Sequence, residues 1–180
     1  MKHFVILSLS LMGVLFIQCN QNQEFDYKKT QSNLKFNPEI LTVKGNSNFE
    51  KARGQILYLP LYSNIPHSEK LGEFDLSGFV TIHNTDLTKN LKITHIYYFD
   101  NNGELKKDFL VKDTLVLKPL QSKSFFIPYK DKSGTGANFL IEWKTEIPIN
   151  IPLVETVMLN LQNSQGVSFL SNGKVIEQMD

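Results

Sequence analysis

The sequence predicts an all-β protein, a single immunoglobulin-like antiparallel β-sandwich of about eight or nine strands. From Gly54 onward, short β-type runs alternate with turn residues at intervals of about ten positions. The runs are rich in β-branched and aromatic residues, which suit a pleated, half-buried surface. Asn-Gly and other turn residues punctuate them, most clearly at Asp100-Asn101-Asn102-Gly103. With 180 residues and 41% hydrophobic content, the chain is long enough for one domain with its own core.

Residues 1–18 read as an export signal. Lys2 and His3 form a short basic region, and Phe4 to Ile17 is an uncharged apolar run. Spanning a bilayer takes roughly 20 apolar residues, so this run is a signal core and not a span. Gln18, Cys19, Asn20 and Gln21 end it. Phe16, Ile17 and Gln18 are too large for an ordinary small-residue cleavage site. Leu15-Phe16-Ile17-Gln18-Cys19 resembles the lipobox of bacterial lipoproteins. That resemblance implies that Cys19 carries the lipid and becomes the mature N-terminus, with the membrane as partner through that lipid. The expected location is the cell envelope, on its periplasmic face or the cell surface. Cys19 is the only cysteine, so once acylated it leaves no thiol for a disulfide or a nucleophile.

Residues 19–53 then form a lipidated cysteine and polar tether, rich in Asn, Gln, Lys and Ser. Within it, Glu39 to Lys44, closed by Gly45-Asn46, has the composition of one short added strand. Residues 54–180 are the sandwich domain. Ile56 to Tyr62 has apolar residues on both faces, and Pro60 lacks an amide hydrogen, which places it at an edge or a bulge. Phe74 to Ile82 alternates as a half-buried strand, with Phe74, Leu76, Val80 and Ile82 on one side. The turn from Asn84 to Asn90 leads to Leu91–Phe99; if that strand pairs back on 74–83 as a hairpin, His83 falls opposite Leu91 and His95 opposite Phe79, so the two histidines are not neighbours. Asp100–Gly103 returns the chain into Glu104–Val111. Leu115–Leu117 and Phe125–Ile127 read as paired strands around a Lys118-Pro119-Leu120 corner. Asn138–Lys144, Val154–Leu161 and Val167–Leu170 complete the set. At 153–161 the apolar spacing also fits a helix, but the lack of an N-cap before Pro152 and β-rich neighbours favour strand.

Composition excludes some chemistry. Basic and acidic residues number 19 and 18, and removal of Lys2 with the signal makes them equal, so there is no basic excess for nucleic acid. His67, His83 and His95 show no metal-ligand spacing, and read as solvated or locally bonded; no metal and no cofactor is assigned. Asp100 to Glu104 has calcium-loop composition but is far shorter than an EF-hand loop, and suits a hairpin turn. Ser133 has no G-x-S-x-G context, and Gly134-Thr135-Gly136 has neither the lysine nor the following helix of a phosphate loop.

The binding candidates are therefore the glycine loop and the aromatic strands: Gly134, Gly136, Asn138, Tyr97, Tyr98 and Trp143. The loop reads either as a mobile rim for a partner or as a tight turn that only glycines can make, and Trp143 equally suits the core of its strand. Tyr97-Tyr98-Phe99 and Phe125-Phe126 each place aromatics on both faces of a strand, so an outer layer covers them or an aromatic surface is exposed. The reading is a lipid-anchored, non-catalytic binding or interaction module with an envelope protein or glycan as partner. Two alternatives stand beside it: an envelope hydrolase with a site near Ser133, Asn138 and Glu142, and a structural or assembly factor.

Several stretches carry a resemblance: Tyr58-Leu59-Pro60-Leu61-Tyr62-Ser63, Ile82-His83-Asn84-Thr85-Asp86, Tyr97-Tyr98-Phe99-Asp100, Leu117-Lys118-Pro119-Leu120-Gln121-Ser122 and Gly136 to Trp143. Together with Gly166-Val167-Ser168-Phe169, they resemble the bacterial domain-of-unknown-function family 3124 across most of residues 57–176. The resemblance implies an envelope protein, often a lipoprotein. It brings no activity, cofactor or catalytic residue.

Replacing Cys19 with Ala is expected to abolish incorporation of labelled fatty acid and to release the protein from the membrane fraction. Label retained by the Ala variant would overturn the assignment.

Overall fold

The computed structural model describes residues 51–68, 72–161 and 166–179. They form antiparallel β-structure and, among the described residues, no helix. The strands are β1 (Lys51–Pro60), β2 (Asn64–Ser68), β3 (Gly72–Asp75), β4 (Ser77–His83), β5 (Leu91–Phe99) and β6 (Leu105–Asp108). They continue as β7 (Leu115–Leu117), β8 (Ser122–Ile127), β9 (Asn138–Asn150), β10 (Leu153–Asn160), β11 (Val167–Asn172) and β12 (Lys174–Met179). The larger sheet runs β12-β1-β9-β5-β6, with β7 also on β5. The second runs β11-β10-β4-β8, and β2 and β3 pair with each other. Cys19, the expected Glu39–Lys44 strand and the tether as far as residue 50 lie outside the described residues, whereas Lys51, Ala52 and Arg53, expected as the end of the tether, are already in β1.

Twelve strands replace the expected eight or nine. The run 74–82 breaks at Leu76, whose amide donates to Ser63 O (2.8 Å) and not to a neighbouring strand. At the C-terminus, Gly173 separates two strands that belong to different sheets. Its amide donates to Val154 O (2.8 Å), and a Cβ there would sit 3.3 Å from Leu57 Cδ2. A small residue is needed where the chain passes so close to the core.

A hairpin between 74–83 and 91–99 does not form. β4 pairs with β8 and β10, whereas β5 pairs with β6, β7 and β9, so the two lie in different sheets. The connection from Asn84 to Asn90 is a polar knot. Asn84 Nδ2 donates to the carbonyls of Lys89, Leu117 and Lys118 at 2.8–3.1 Å. Asp86 Oδ1 accepts the amides of Thr88 and Lys89, and Oδ2 accepts the amide of Asn150. Burial raises the Asp86 pKa, but these amide bonds outweigh it and hold the carboxyl below its usual range. The strands around Lys118-Pro119-Leu120 likewise do not pair with each other. β7 adds to β5 and β8 to β4, so the corner carries the chain between sheets, with Leu120 at φ 60°.

Other local expectations hold. Asp100–Gly103 makes the hairpin turn, with Gly103 at φ 78° and Asp100 Oδ1 accepting the amides of Asn102 and Glu104. Residues 153–160 are strand, because β4 and β11 flank them on both sides. Pro60 closes β1, two residues beyond the last pairing with β12, and the strand's irregularities fall elsewhere, at Ile56/Leu57 against β12 and at Ala52/Gly54 against β9. The Pro60 carbonyl accepts the hydroxyls of Thr156 (3.0 Å) and Ser171 (2.7 Å) from the second sheet.

One apolar core joins the two sheets. Leu57 and Leu59 of β1, Ile93 and Ile96 of β5, and Phe139, Ile141 and Trp143 of β9 share it with Val80, Ile82, Val154 and Met158. Each such side chain contributes about 1.5–3 kcal/mol by leaving water. Ile141, fully buried at mid-strand, has neighbours on both sides, so the hole left by truncation cannot close easily. Ile141→Ala is expected to lower unfolding free energy by about 2–5 kcal/mol with an unchanged denaturant slope. A loss under about 1 kcal/mol in urea titration would show that the core is not centred there.

Candidate functional site

Side chains alternate across a strand, so burying Phe139, Ile141 and Trp143 turns Asn138, Leu140, Glu142 and Lys144 outward. Registry with the flanking strands builds rows on that outer face. Pro60, Asn138 and Phe99 form one row; Tyr58, Leu140 and Tyr97 the next; Ile56, Glu142 and His95 the third. A hydrophobic and aromatic platform thus adjoins an ionisable pair. Ring centroids of Tyr97 lie 5.3 Å from His95 and 6.4 Å from Phe99, so three aromatic side chains line up along β5. Ile56, His95, Tyr97, Leu140 and Glu142 enclose an open cavity of about 270 Å³.

The ionisable pair owes its geometry to a bulge. Between Ile93 and His95 the β5–β9 register shifts, which leaves Thr94 as the extra residue. Its hydroxyl donates to the Glu142 carboxylate, and His95 Nδ1 stands 3.2 Å from the same oxygen. The Thr94 bond lowers the Glu142 pKa; burial opposes it, and the bond and charge of His95 add to the lowering. Glu142 orients the imidazole through Nδ1, an arrangement suited to presenting Nε2 to a polar ligand group.

The structure separates the sequence candidates. Trp143 and Tyr98 are 1% and 2% exposed, so both rings belong to the core and cannot form an exposed binding surface. Trp143 Nε1 and the facing Gln55 Oε1 are buried without a partner among the described residues, a cost that the surrounding packing must offset. The Tyr98 hydroxyl donates to Asp131 (2.8 Å), and burial, followed by the Asp131 charge, pushes its pKa up. Tyr97 remains half-buried on the platform, and Asn138 sits at its end.

The glycine loop is a clamp. Gly134 N donates to Ser63 Oγ (2.8 Å), Ser63 N to Gly134 O (3.2 Å), Leu61 N to Ala137 O (2.9 Å) and Asn101 N to Ser133 O (2.9 Å). Gly134 has φ 91°, and a Cβ on it or on Gly136 would fall within 3.0 or 3.2 Å of the Asn101 side chain. A side chain at Gly134 would be strained by its φ, and at Gly136 it would need Asn101 to shift by a few tenths of an ångström, so the pair forms a tight turn and not a loose rim. Ser133 is 2% exposed, with its side chain bonded to Tyr98, and is not presented as a nucleophile. His83 is in the other sheet, 3.3 Å from Glu155 and bonded to Ser122. Among the described residues no cluster of three or more His, Cys, Asp or Glu is placed to hold a metal.

Sequence reasoning missed the His95–Glu142 pair and Tyr58. The alternation His95, Tyr97, Phe99 was visible, but the partner strand was not. It also left open which aromatic face is exposed. On the second sheet Phe126, Phe79, Val157 and Leu170 fall in register across all four strands, each at least 37% exposed.

The class defined here is an all-β, antiparallel domain with a solvent-facing aromatic platform on its larger sheet. The chain belongs to the family described as a protein of unknown function (DUF3124), whose profile matches residues 54–176. No curated protein matches it. The crystal structure of Thermotoga maritima 1070 aligns with 71% of this chain and 97% of its own, at 15% identity and a TM-score of 0.41. A likeness that distant carries no argument.

Because the Glu142 pKa is lowered on folding, its contribution is present above the reference value of 4.5 and lost as pH falls through the lower folded pKa. Glu142→Gln is therefore expected to unfold more easily than the parent at pH 7, the difference closing below about pH 4.5. Thermal unfolding across pH checks this, and a gap that widens on acidification would contradict it.

Proposed function

We propose that this protein is a lipid-anchored, non-catalytic binding module of the cell envelope, held there through Cys19 and built as an immunoglobulin-like sandwich. Two sheets around one core, with repeated crossings between them, support that description of the fold. The ligand surface is the outer face of the larger sheet, and its partner is an envelope glycan. The observation that carries this reading is the row arrangement of Tyr58, Leu140, Tyr97 and Phe99 beside His95 and Glu142. Aromatic faces accept the C–H-rich faces of sugars, while a carboxylate and an imidazole take hydroxyl hydrogen bonds. The hydrolase alternative has no such support, since Ser133 faces the core and Glu142 is bonded to Thr94 and His95.

A second reading rests on the exposed Phe126–Phe79–Val157–Leu170 band, with the rings of Phe79 and Phe126 5.0 Å apart. Such a band favours contact with an envelope protein, as in a structural or assembly factor. Capture from native envelope separates the two. Tyr58→Ala/Tyr97→Ala is expected to lower recovery of glycan at least tenfold while Phe126→Ser leaves it intact. Loss only in Phe126→Ser, with protein recovered in place of glycan, would transfer the function to the second sheet.

A further inference from the structure

The largest cavity among those described, about 590 Å³, is not the aromatic platform but an amphipathic cleft beside the start of β1. Lys89, Lys92 and Lys144 rim it, Val116 and Ile147 are exposed on its walls, and Ile149 is fully buried at its base. Glu146 is the one carboxylate among its lining residues. Lys92 and Val116 are register partners on β5 and β7, and Lys144 pairs with Gly54 on β1, so strand pairing fixes the backbone positions of two of the three lysines. Lys89 is held by its own backbone, with its amide bonded to Asp86 and its carbonyl to Asn84.

The cleft lies where the preceding chain enters the body. Lys51 pairs with Asn150 and Ala52 with Ile149. Leu87 and Leu120, both exposed, project from the polar connection and the corner that Asn84 ties together at this end. The opposite end carries the glycine clamp and the Asn101 turn.

We propose that this cleft docks the body onto the membrane by binding the headgroups of anionic phospholipids, with Ile147 and Val116 resting in the acyl boundary. The inference rests on the anchoring part of the reading above. Charge complementarity selects the occupant, because three ammoniums against one carboxylate attract phosphate while the apolar walls offer a place to the adjoining chain. The source is taken to be lipid because the described chain begins at this end of the body, at Lys51, and not at the clamp end, so Cys19 is joined to the body beside the cleft.

Since Cys19 is the sole cysteine, single new cysteines can be labelled once it is acylated. The acylated protein is placed in vesicles of phosphatidylglycerol or phosphatidylcholine, with a fluorophore on Ile147→Cys or Asn102→Cys and a lipid-borne quencher. Quenching is expected at 147 and not at 102, in phosphatidylglycerol only, and to be lost in high salt. Each lysine near an anionic surface is worth about fivefold in affinity, so removing all three as Lys→Ala should weaken docking about a hundredfold. Equal quenching at both positions, no difference between lipids, or a triple variant that still docks would overturn the proposal while leaving the anchor standing. Protein that fails to float with either vesicle would overturn the anchor as well.

Discussion

Alternation along β9 is the constraint on which the rest of the structure depends. The strand is 13 residues long and pairs on both sides, with β1 and β5. From Asn138 to Trp143 it is paired along both edges, and there its backbone hydrogen bonds leave no freedom to rotate a side chain from one face to the other. Burying Phe139, Ile141 and Trp143 commits Leu140, Glu142 and Lys144 to the solvent face. Core stability and the floor of the surface are thus one decision made twice per residue pair. Any ligand on that face meets side chains whose spacing the core already fixes, which lowers the ordering cost of recognition.

Of the two characters that glycine-rich composition allows, a mobile rim or a tight turn, the glycine loop has the second. Gly134 and Gly136 crowd onto Asn101 and share hydrogen bonds with Ser63, and the Asn84–Asp86 segment ties three chain crossings together. Many of the residues through which the chain resembles its family are of this kind. Asn84 and Asp86 satisfy buried amides and carbonyls, Lys118 to Gln121 turn the chain from one sheet to the other, and Ala137, Phe139, Ile141 and Trp143 are core. Such residues specify a fold. They do not by themselves point to an activity.

What was legible in the sequence follows the range of the interaction that decides it. The Asp100–Gly103 turn is settled by residues within four positions, and the strand character of 153–160 by its own composition and flanks. Pairing is settled by contacts far apart in sequence. Joining 74–83 to 91–99 as a hairpin was reasonable because consecutive strands commonly neighbour each other. It failed because the Asn84–Asn90 connection is stapled to Leu117 and Asn150, which carries β5 to the other sheet. The His95–Glu142 pair depends on that same crossing, with its partners 47 residues apart. Trp143 suited both a core and a surface role in the sequence, and its burial decides for the core.

Charge makes the last step. A chain whose 19 basic and 18 acidic residues nearly cancel offers no reason to expect a patch, and a sum cannot reveal one. Screening in salt confines the influence of an exposed charge to about 10 Å, so what a ligand senses is the local set and not the total. On the larger sheet, β9 and its neighbours sort that local set by distance along the strands. Lys92 and Lys144 lie towards the entry of the chain, Glu142 with His95 in the middle, and the uncharged row of Asn138, Phe99 and Pro60 at the far end. One face therefore carries a cationic end and an aromatic end, separated by a carboxylate that keeps an anion drawn to the lysines from spreading along the platform. On the proposal that the body is tethered to an anionic surface, such a gradient would favour contact through the cationic end, with the aromatic rows at the other end of the face.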